Sequence, residues 1–158
     1  MAWDFETDAD FQAKLDWADE FVRREVEPLD LAFRESAAPY DRQNPIYKRI
    51  TDPLKAEVRR QGLWACHLGP ELGGRGFGQV KLALMNEILG RSGSAPGIFG
   101  AQAPDTGNME ILAHYGTEEQ KKKWLPRMVA GATVCAIAMT RDRQRPAGHS
   151  HARNPRRR

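Results

Sequence analysis

The sequence predicts an all-α fold: a helical assembly that ends in a single strand stub and a disordered basic tail. Three observations predict it. Apolar residues recur at three- and four-residue steps, cap and terminator residues bracket those segments, and the composition changes abruptly after residue 140. With 158 residues, 41% of them hydrophobic and 28% charged, the chain fits one compact domain and has no apolar run long enough for a membrane span.

The N-terminal half predicts two helices followed by a loop. Residues 7–27 place an apolar stripe on one helix face, and Pro28 is expected to end that helix. A second helix is expected to begin at Asp52, which a proline follows, and to stop at Gly62. Residues 63–78 contain five glycines and no helical period, so they predict a long loop.

Three further helices are predicted after this loop. Residues 79–89 repeat apolar positions at helical spacing, and residues 105–115 follow a run of turn-forming side chains. Residues 117–129 open with a capping box formed by Thr117 and Gln120. The chain up to residue 131 is therefore predicted to be one helical domain.

The last predicted elements are a strand at residues 132–140 and a tail at residues 141–158. A strand without a partner leaves its backbone N–H and C=O groups unpaired, so either a partner sheet is missing or the strand never forms. The tail holds seven of the 24 basic residues and one acidic residue, which leaves 17 basic and 20 acidic residues before it. Because the tail also lacks apolar periodicity, it is predicted to be disordered.

Residue spacing excludes several kinds of site. The glycine cluster at residues 73–78 lacks the spacing of a nucleotide loop, the four histidines form no metal-binding pattern, and no serine lies in a nucleophile elbow. We therefore predict no metal site and name no catalytic residue. Cys66 and Cys135 form no CxxC pair and are expected to be reduced, buried thiols. The acidic N-terminus resembles no targeting peptide, so a cytoplasmic location is expected.

Four ordered segments resemble the N-terminal domain of the acyl-CoA dehydrogenase family. They are GLW with PELGGRG at residues 62–76, APDTGNME at 103–110, YGTEEQKKKWLP at 115–126 and CAIAMT at 135–140. APDTGNME resembles more narrowly the branch that acts on long or unusual acyl-CoA chains. By this resemblance residues 1–131 are the family's orthogonal helical N-terminal domain, and residues 132–140 begin its middle β domain, after which the family pattern stops. The residue chemistry of APDTGNME alone fits a helix cap, in which Asp105 or Thr106 accepts backbone amides.

The resemblance implies an FAD-dependent oxidoreductase that removes hydrogen from the α and β carbons of fatty acyl-CoA thioesters. It implies that the substrate pocket includes Ala101, Gln102, Ala103, Pro104, Asp105 and Thr106, with residues 82–85 as a further wall. It implies flavin contacts at Ile137, Met139 and Thr140. The family's catalytic carboxylate has no counterpart in these 158 residues, so this truncated chain is expected to bind FAD poorly and to be inactive alone.

The expected partners are acyl-CoA, by resemblance, and either a second copy of the chain or an intact homologue. Helix faces that the family's other domains would cover are expected to promote self-association. The alternative is that the seven tail arginines bind nucleic acid or an anionic surface, although no aromatic residue accompanies them and no nucleic-acid-binding fold precedes them. A further hypothesis is that the tail is a frameshift product, since Arg141-Asp142 read one base later can encode the Glu that the family places after Thr140.

Overall fold

The computed structural model describes residues 7–34, 44–70, 74–133 and 135–137. The fold is all-α, as predicted, and the elements are α1 (Ala9–Phe21), a π-helical turn (Val22–Val26), α2 (Glu27–Ala32), α3 (Pro45–Arg60), α4 (Gln79–Leu89), α5 (Ala95–Ile98), α6 (Asp105–Tyr115) and α7 (Glu118–Val129). Met139, Thr140 and the basic tail lie outside the described residues. No helix in the described part is long and apolar enough to cross a bilayer.

The first helical run is longer than predicted. Asp8 caps α1 by accepting the amide of Phe11 at 2.9 Å. The expected stop at Pro28 is wrong, because the π-helical turn continues directly into α2. Pro28 lies in the first turn of α2, where the missing amide hydrogen costs no intrahelical bond.

Helix α3 begins earlier than predicted. Asn44 caps it, with its side-chain oxygen accepting two backbone amides at 3.0 and 3.1 Å. The predicted start at Asp52 is therefore wrong, and Pro53 lies inside the helix. Gly62 follows the C-terminal end with a φ of +71°, a left-handed conformation that glycine adopts without strain. The predicted terminator is thus confirmed.

The three later helices keep their predicted bounds, and short α5 is an addition. At the start of α7 the predicted capping box is present. The backbone N–H of Gln120 donates to the Thr117 hydroxyl oxygen at 3.2 Å, and the backbone N–H of Thr117 donates to the side-chain oxygen of Gln120 at 2.9 Å. Residues 132, 133 and 135–137 of the predicted strand form no strand, and no strand within the described ranges is available to pair with them. The remainder of that segment lies outside the described residues.

Two hydrophobic clusters hold the helices together. The larger one, which we call the body cluster, packs α1, the π-helical turn, α3, α4 and α5, and consists of Phe11, Leu15, Ala18, Phe21, Val22, Val26, Val58, Leu63, Cys66, Met85, Leu89, Ala95, Ile98 and Phe99. The smaller one, the α6–α7 cluster, consists of Leu68, Met109, Ala113, Leu125 and Met128. The chain therefore has a helical body, α1 to α5, and an α6–α7 pair packed on its own small core.

Polar contacts also fix α2 within the body. The Asp30 carboxylate accepts hydrogen bonds from the Ser92 and Ser94 hydroxyls, both at 2.6 Å. It also accepts the amides of Gly93 and Ser94 at 3.0 and 3.1 Å. Because each of these bonds has a charged acceptor, the carboxylate holds the loop between α4 and α5 firmly against α2.

Candidate functional site

A groove with a volume of about 400 Å³ lies between the helical body and the α6–α7 pair, and we call it the interface groove. Gln102 and Asp105, two of the six predicted pocket residues, lie on its wall. Its complete lining is Tyr47, Lys48, Asp52, Lys55, Arg59, Trp64, Gly97, Ile98, Gly100, Gln102, Asp105, Met109, Met128, Gly131 and Ala132. Both clusters contribute to this wall, since Ile98 belongs to the body cluster and the two methionines to the α6–α7 cluster.

Trp64 connects the two sides of the groove. Its indole Nε1 donates to the Val129 carbonyl at 2.7 Å, which ties the body to the last residue of α7. Two glycines let the backbone approach the ring: a Cβ at Gly100 would lie 2.7 Å from it, and one at Gly131 would lie 3.1 Å away. Gly100 also has a φ of +66°, so a side chain there would be strained as well as crowded.

Arg59 strengthens the same connection from α3. Its guanidinium lies 3.6 Å from the centre of the Trp64 ring, within cation–π range. It also donates to the Ala130 carbonyl at 3.2 Å. Partial burial lowers the pKa of Arg59, yet arginine keeps its charge in proteins. The end of α7 is therefore bound to the body through both a ring and a cation.

The turn before α6 is held by side-chain amides and a carboxylate. Gln102 donates its side-chain amide to Asp105 at 3.2 Å, and Asp105 accepts the backbone amide of Cys135 at 2.8 Å. Asn108 reaches the Ala136 carbonyl at 3.5 Å. The N-cap residue of α6 is Pro104, which has no side-chain cap bond, so neither Asp105 nor Thr106 occupies the predicted cap position.

The other predicted site residues are placed less centrally. Ala101 packs on the body cluster, while Ala103, Pro104 and Thr106 flank the groove without lining it. Of the predicted flavin contacts, Ile137 is 48% exposed, whereas Met139 and Thr140 lie outside the described residues.

Residues 82–85 do not line the interface groove, although the resemblance placed a wall there. Met85 is fully buried in the body cluster, and Leu82 and Leu84 pack against it. These side chains therefore stabilise the body.

The charge of the groove was not predicted from the sequence. Lys48, Lys55 and Arg59 line it from α3 together with the acidic Asp52 of the same helix, and Asp105 of α6 adds a second carboxylate. Their spacing of seven and four residues places the three cations on one helix face, a pattern that the sequence already contains. The Lys55 Nζ lies 3.7 Å from the Asp52 Oδ1, so the Asp52 carboxylate partly balances the positive charge of Lys55. The groove thus offers a mixed polar and apolar surface.

Burial shifts the pKa of two titratable groups that do not line the groove, the buried Cys66 and the half-buried His67. Burial raises the pKa of the Cys66 thiol to about 11, so this thiol stays protonated at neutral pH. Burial lowers the pKa of His67, and the Glu110 carboxylate opposes that shift. Cys66 and Cys135 are both free thiols, and Cys135 is half-buried where a buried side chain was expected. Within the described ranges, no group of three His, Cys, Asp or Glu side chains could hold a metal ion.

Comparison with known proteins gives a consistent result. Residues 8–132 match the family model described as acyl-CoA dehydrogenase, N-terminal domain. The chain is 38% identical to mouse acyl-CoA dehydrogenase family member 10 over 126 residues, which are 77% of this chain and 12% of the relative. It is 34% identical to the probable acyl-CoA dehydrogenase FadE2 of Mycobacterium tuberculosis, over 87% of this chain and 29% of that protein.

A solved structure extends the similarity to the fold. A protein assigned as an acyl-CoA dehydrogenase from Mycobacterium abscessus superposes with a TM-score of 0.65 at 34% identity, over 80% of this chain and 33% of that one. The chain thus spans at most about a third of the length of these relatives. The family match and the shared fold agree with the ordered motifs, and the chain belongs to the acyl-CoA dehydrogenase family through its N-terminal domain.

Proposed function

We propose that the interface groove and the turn at residues 101–106 form one wall of the acyl-CoA cleft of an FAD-dependent dehydrogenase that oxidises fatty acyl-CoA thioesters. The single observation that supports this proposal most strongly is the position of Gln102 and Asp105 on the wall of a 400 Å³ groove. Small-molecule sites are typically concave and combine apolar side chains with a few placed polar groups. This groove is concave and contains both kinds of side chain, with a larger share of charged residues than such sites usually have.

The role of this wall is to shape the cleft and to exclude water from it. Met109, Met128 and Ile98 line the groove as almost fully buried side chains. They close its apolar side against an acyl chain, and methionines adapt their shape to irregular ligands. Gln102 supplies a polar group beside them.

The two carboxylates that line the groove are engaged within the chain, Asp105 by Gln102 and Cys135 and Asp52 by Lys55. The wall therefore orients the thioester and excludes water, while proton removal falls to another part of the enzyme.

FAD supplies the acceptor for the β-hydride in this reaction class. On this chain, the half-exposed side chain of Ile137 could pack against one edge of a flavin ring. The described residues do not enclose a cofactor, however. We therefore propose that the 158-residue chain alone shows no flavin absorbance after incubation with FAD and does not reduce a dye with acyl-CoA. A yellow, active preparation would contradict this.

Exposed apolar side chains support a protein partner for the same domain. Ile111 and Tyr115 lie one turn apart on α6 and are 59% and 86% exposed, and Ile46 and Ile50 repeat this spacing on α3. We propose that an intact homologue or a second copy covers these faces. Light scattering should show concentration-dependent oligomers, and a monodisperse monomer at all concentrations would contradict self-association.

The proposal for the groove is tested by titrating the chain with a fatty acyl-CoA in a calorimeter. Because one wall offers only part of the contact surface, the expected Kd is about 1 mM, equivalent to about 4 kcal/mol. The variant Ala132→Trp places an indole in the groove and should weaken binding at least about tenfold, equivalent to about 1.4 kcal/mol.

Ala130→Trp is the matched control, since Ala130 is also exposed in the same turn but does not line the groove. This variant should bind like the unmodified chain. Equal weakening by both substitutions, or no binding by the unmodified chain, would contradict the proposed wall.

A further inference from the structure

The Asp105 carboxylate makes a contact that a pocket wall does not require. One oxygen accepts the backbone amide of Cys135, thirty residues along the chain, at 2.8 Å, and the other accepts the side chain of Gln102 at 3.2 Å. A carboxylate acceptor makes each bond roughly twice as strong as a neutral one. Asp105 therefore connects the turn before α6 to the segment that follows α7.

Two further contacts reinforce this connection from different sides. Asn108, one turn further along α6, donates to the Ala136 carbonyl at 3.5 Å. The Cys135 side chain packs against the α6–α7 cluster. Residues 135 and 136 are thus held by two side chains and by apolar contact, although they form no strand.

The position of Gln102 is itself fixed. Its backbone carbonyl accepts the Thr106 amide at 3.1 Å, and Gly97 leaves space for its side chain, since a Cβ there would lie 2.8 Å from the Gln102 oxygen. The contacts run without interruption from α5 through Gln102 and Asp105 to Cys135. Because α5 belongs to the body, the segment at residues 135–137 is aligned with the whole helical body.

We propose that Asp105 is a positioning residue whose carboxylate fixes residues 135–137 against the turn at 101–106. This positioning role rests on the proposed function, and it gives the motif APDTGNME at residues 103–110 a second role. It sets the direction in which the flavin-contacting segment leaves the helical domain, so the acyl wall and that segment keep one relative position. The role of Asp105 is then to align two walls of one cleft, and substrate contact is secondary.

The two thiols of the chain provide a direct test, since Cys135 reports the segment and buried Cys66 reports global unfolding. The rate of labelling by a thiol reagent is measured for both cysteines in the full chain without acyl-CoA or flavin. Asp105→Ala removes the acceptor and should speed Cys135 labelling about tenfold, with Cys66 labelling unchanged. Asp105→Asn keeps a side-chain oxygen for the Cys135 amide and should restore the rate to within about threefold.

Gly107→Ala is the control, because residue 107 lies in the same turn and a Cβ there meets no atom within 4 Å. It should leave Cys135 labelling unchanged. Amide hydrogen exchange at Cys135 should rise in Asp105→Ala in step with thiol labelling. Parallel acceleration of both cysteines, or an unchanged Cys135 rate, would overturn the positioning role while leaving the acyl-CoA titration to test the groove separately.

Discussion

The helical body and the α6–α7 pair are stabilised in different ways. The body cluster buries several aromatic rings, with Trp17 stacked on Phe21 at 4.7 Å and Phe99 edge-on to Phe21 at 6.0 Å. The α6–α7 cluster contains five buried residues, none of them aromatic, and is bound to the body through Trp64 and Arg59. The body is therefore fixed by packing, whereas the position of the α6–α7 pair depends on a few directed contacts. The interface groove lies where these two kinds of stabilisation meet.

Loss of a buried aromatic ring in the body should destabilise the chain most. Phe99 is fully buried, and Phe99→Ala should lower the free energy of unfolding by about 3–5 kcal/mol through lost burial and the cavity left behind. Leu125→Ala, in the smaller cluster, should cost about 2 kcal/mol, at the lower end for such a change. Urea denaturation measures both. A larger loss for Leu125→Ala would reverse the comparison.

A second prediction uses the buried thiol of the body. Because burial raises the pKa of Cys66 from 9.0 to about 11, the folded state retains a proton that the unfolded state has lost between these values. Stability should therefore fall as the pH rises from 9 to 11, by about 2–3 kcal/mol. Urea titrations of the chain and of Cys66→Ala isolate this effect. Identical pH profiles for the two proteins would show that the thiol is not buried.

The third prediction concerns the connection between the two regions. Trp64→Phe keeps an aromatic ring but removes the N–H that the Val129 carbonyl accepts, and should cost about 1–2 kcal/mol. Trp124→Phe is the control, since Trp124 is 42% exposed on α7 and does not line the groove, and it should change stability by less than about 0.5 kcal/mol. Amide exchange should rise mainly in α7 for Trp64→Phe. Equal effects of the two substitutions would contradict the connection.

The smallest change is a gain in stability from a substitution in the α6–α7 pair. Gly107 lies within α6 with open space around its Cβ position, so Gly107→Ala should stabilise the chain by about 0.5–1 kcal/mol. Gly100→Ala should destabilise it, because its φ is positive and the Trp64 ring blocks the Cβ. Thermal denaturation distinguishes the two. A destabilised Gly107→Ala would indicate that this face of α6 is covered.

Local sequence signals predicted much of the fold. The capping box of Thr117 and Gln120 and the left-handed Gly62 act within a few residues, and both were predicted correctly. The start of α3 was not, because Asn44 and Asp52 each precede a proline, and sequence alone does not show which of them caps a helix. The end of the first helix was missed because proline is also tolerated in a first helical turn.

The site was less predictable, because its contacts join distant residues. Gln102 and Asp105 were predicted as pocket residues through a family resemblance, yet the bond from the Cys135 amide to Asp105 spans thirty positions and leaves no periodic pattern. Trp64 was part of a recognised motif, but its role required the position of Val129, 65 residues away. Contacts of this kind depend on tertiary packing, which propensity and spacing do not encode.

We propose that an acyl-CoA binds at the boundary between the helical body and the α6–α7 pair. The most direct measurement is an NMR titration of the ¹⁵N-labelled chain with a fatty acyl-CoA, which reports each backbone amide separately. The amides of Gln102, Asp105 and Gly131 should shift together, with those of α1, which does not line the groove, unchanged. Shifts confined to other surfaces, or none at acyl-CoA concentrations of about 1 mM and above, would contradict this proposal.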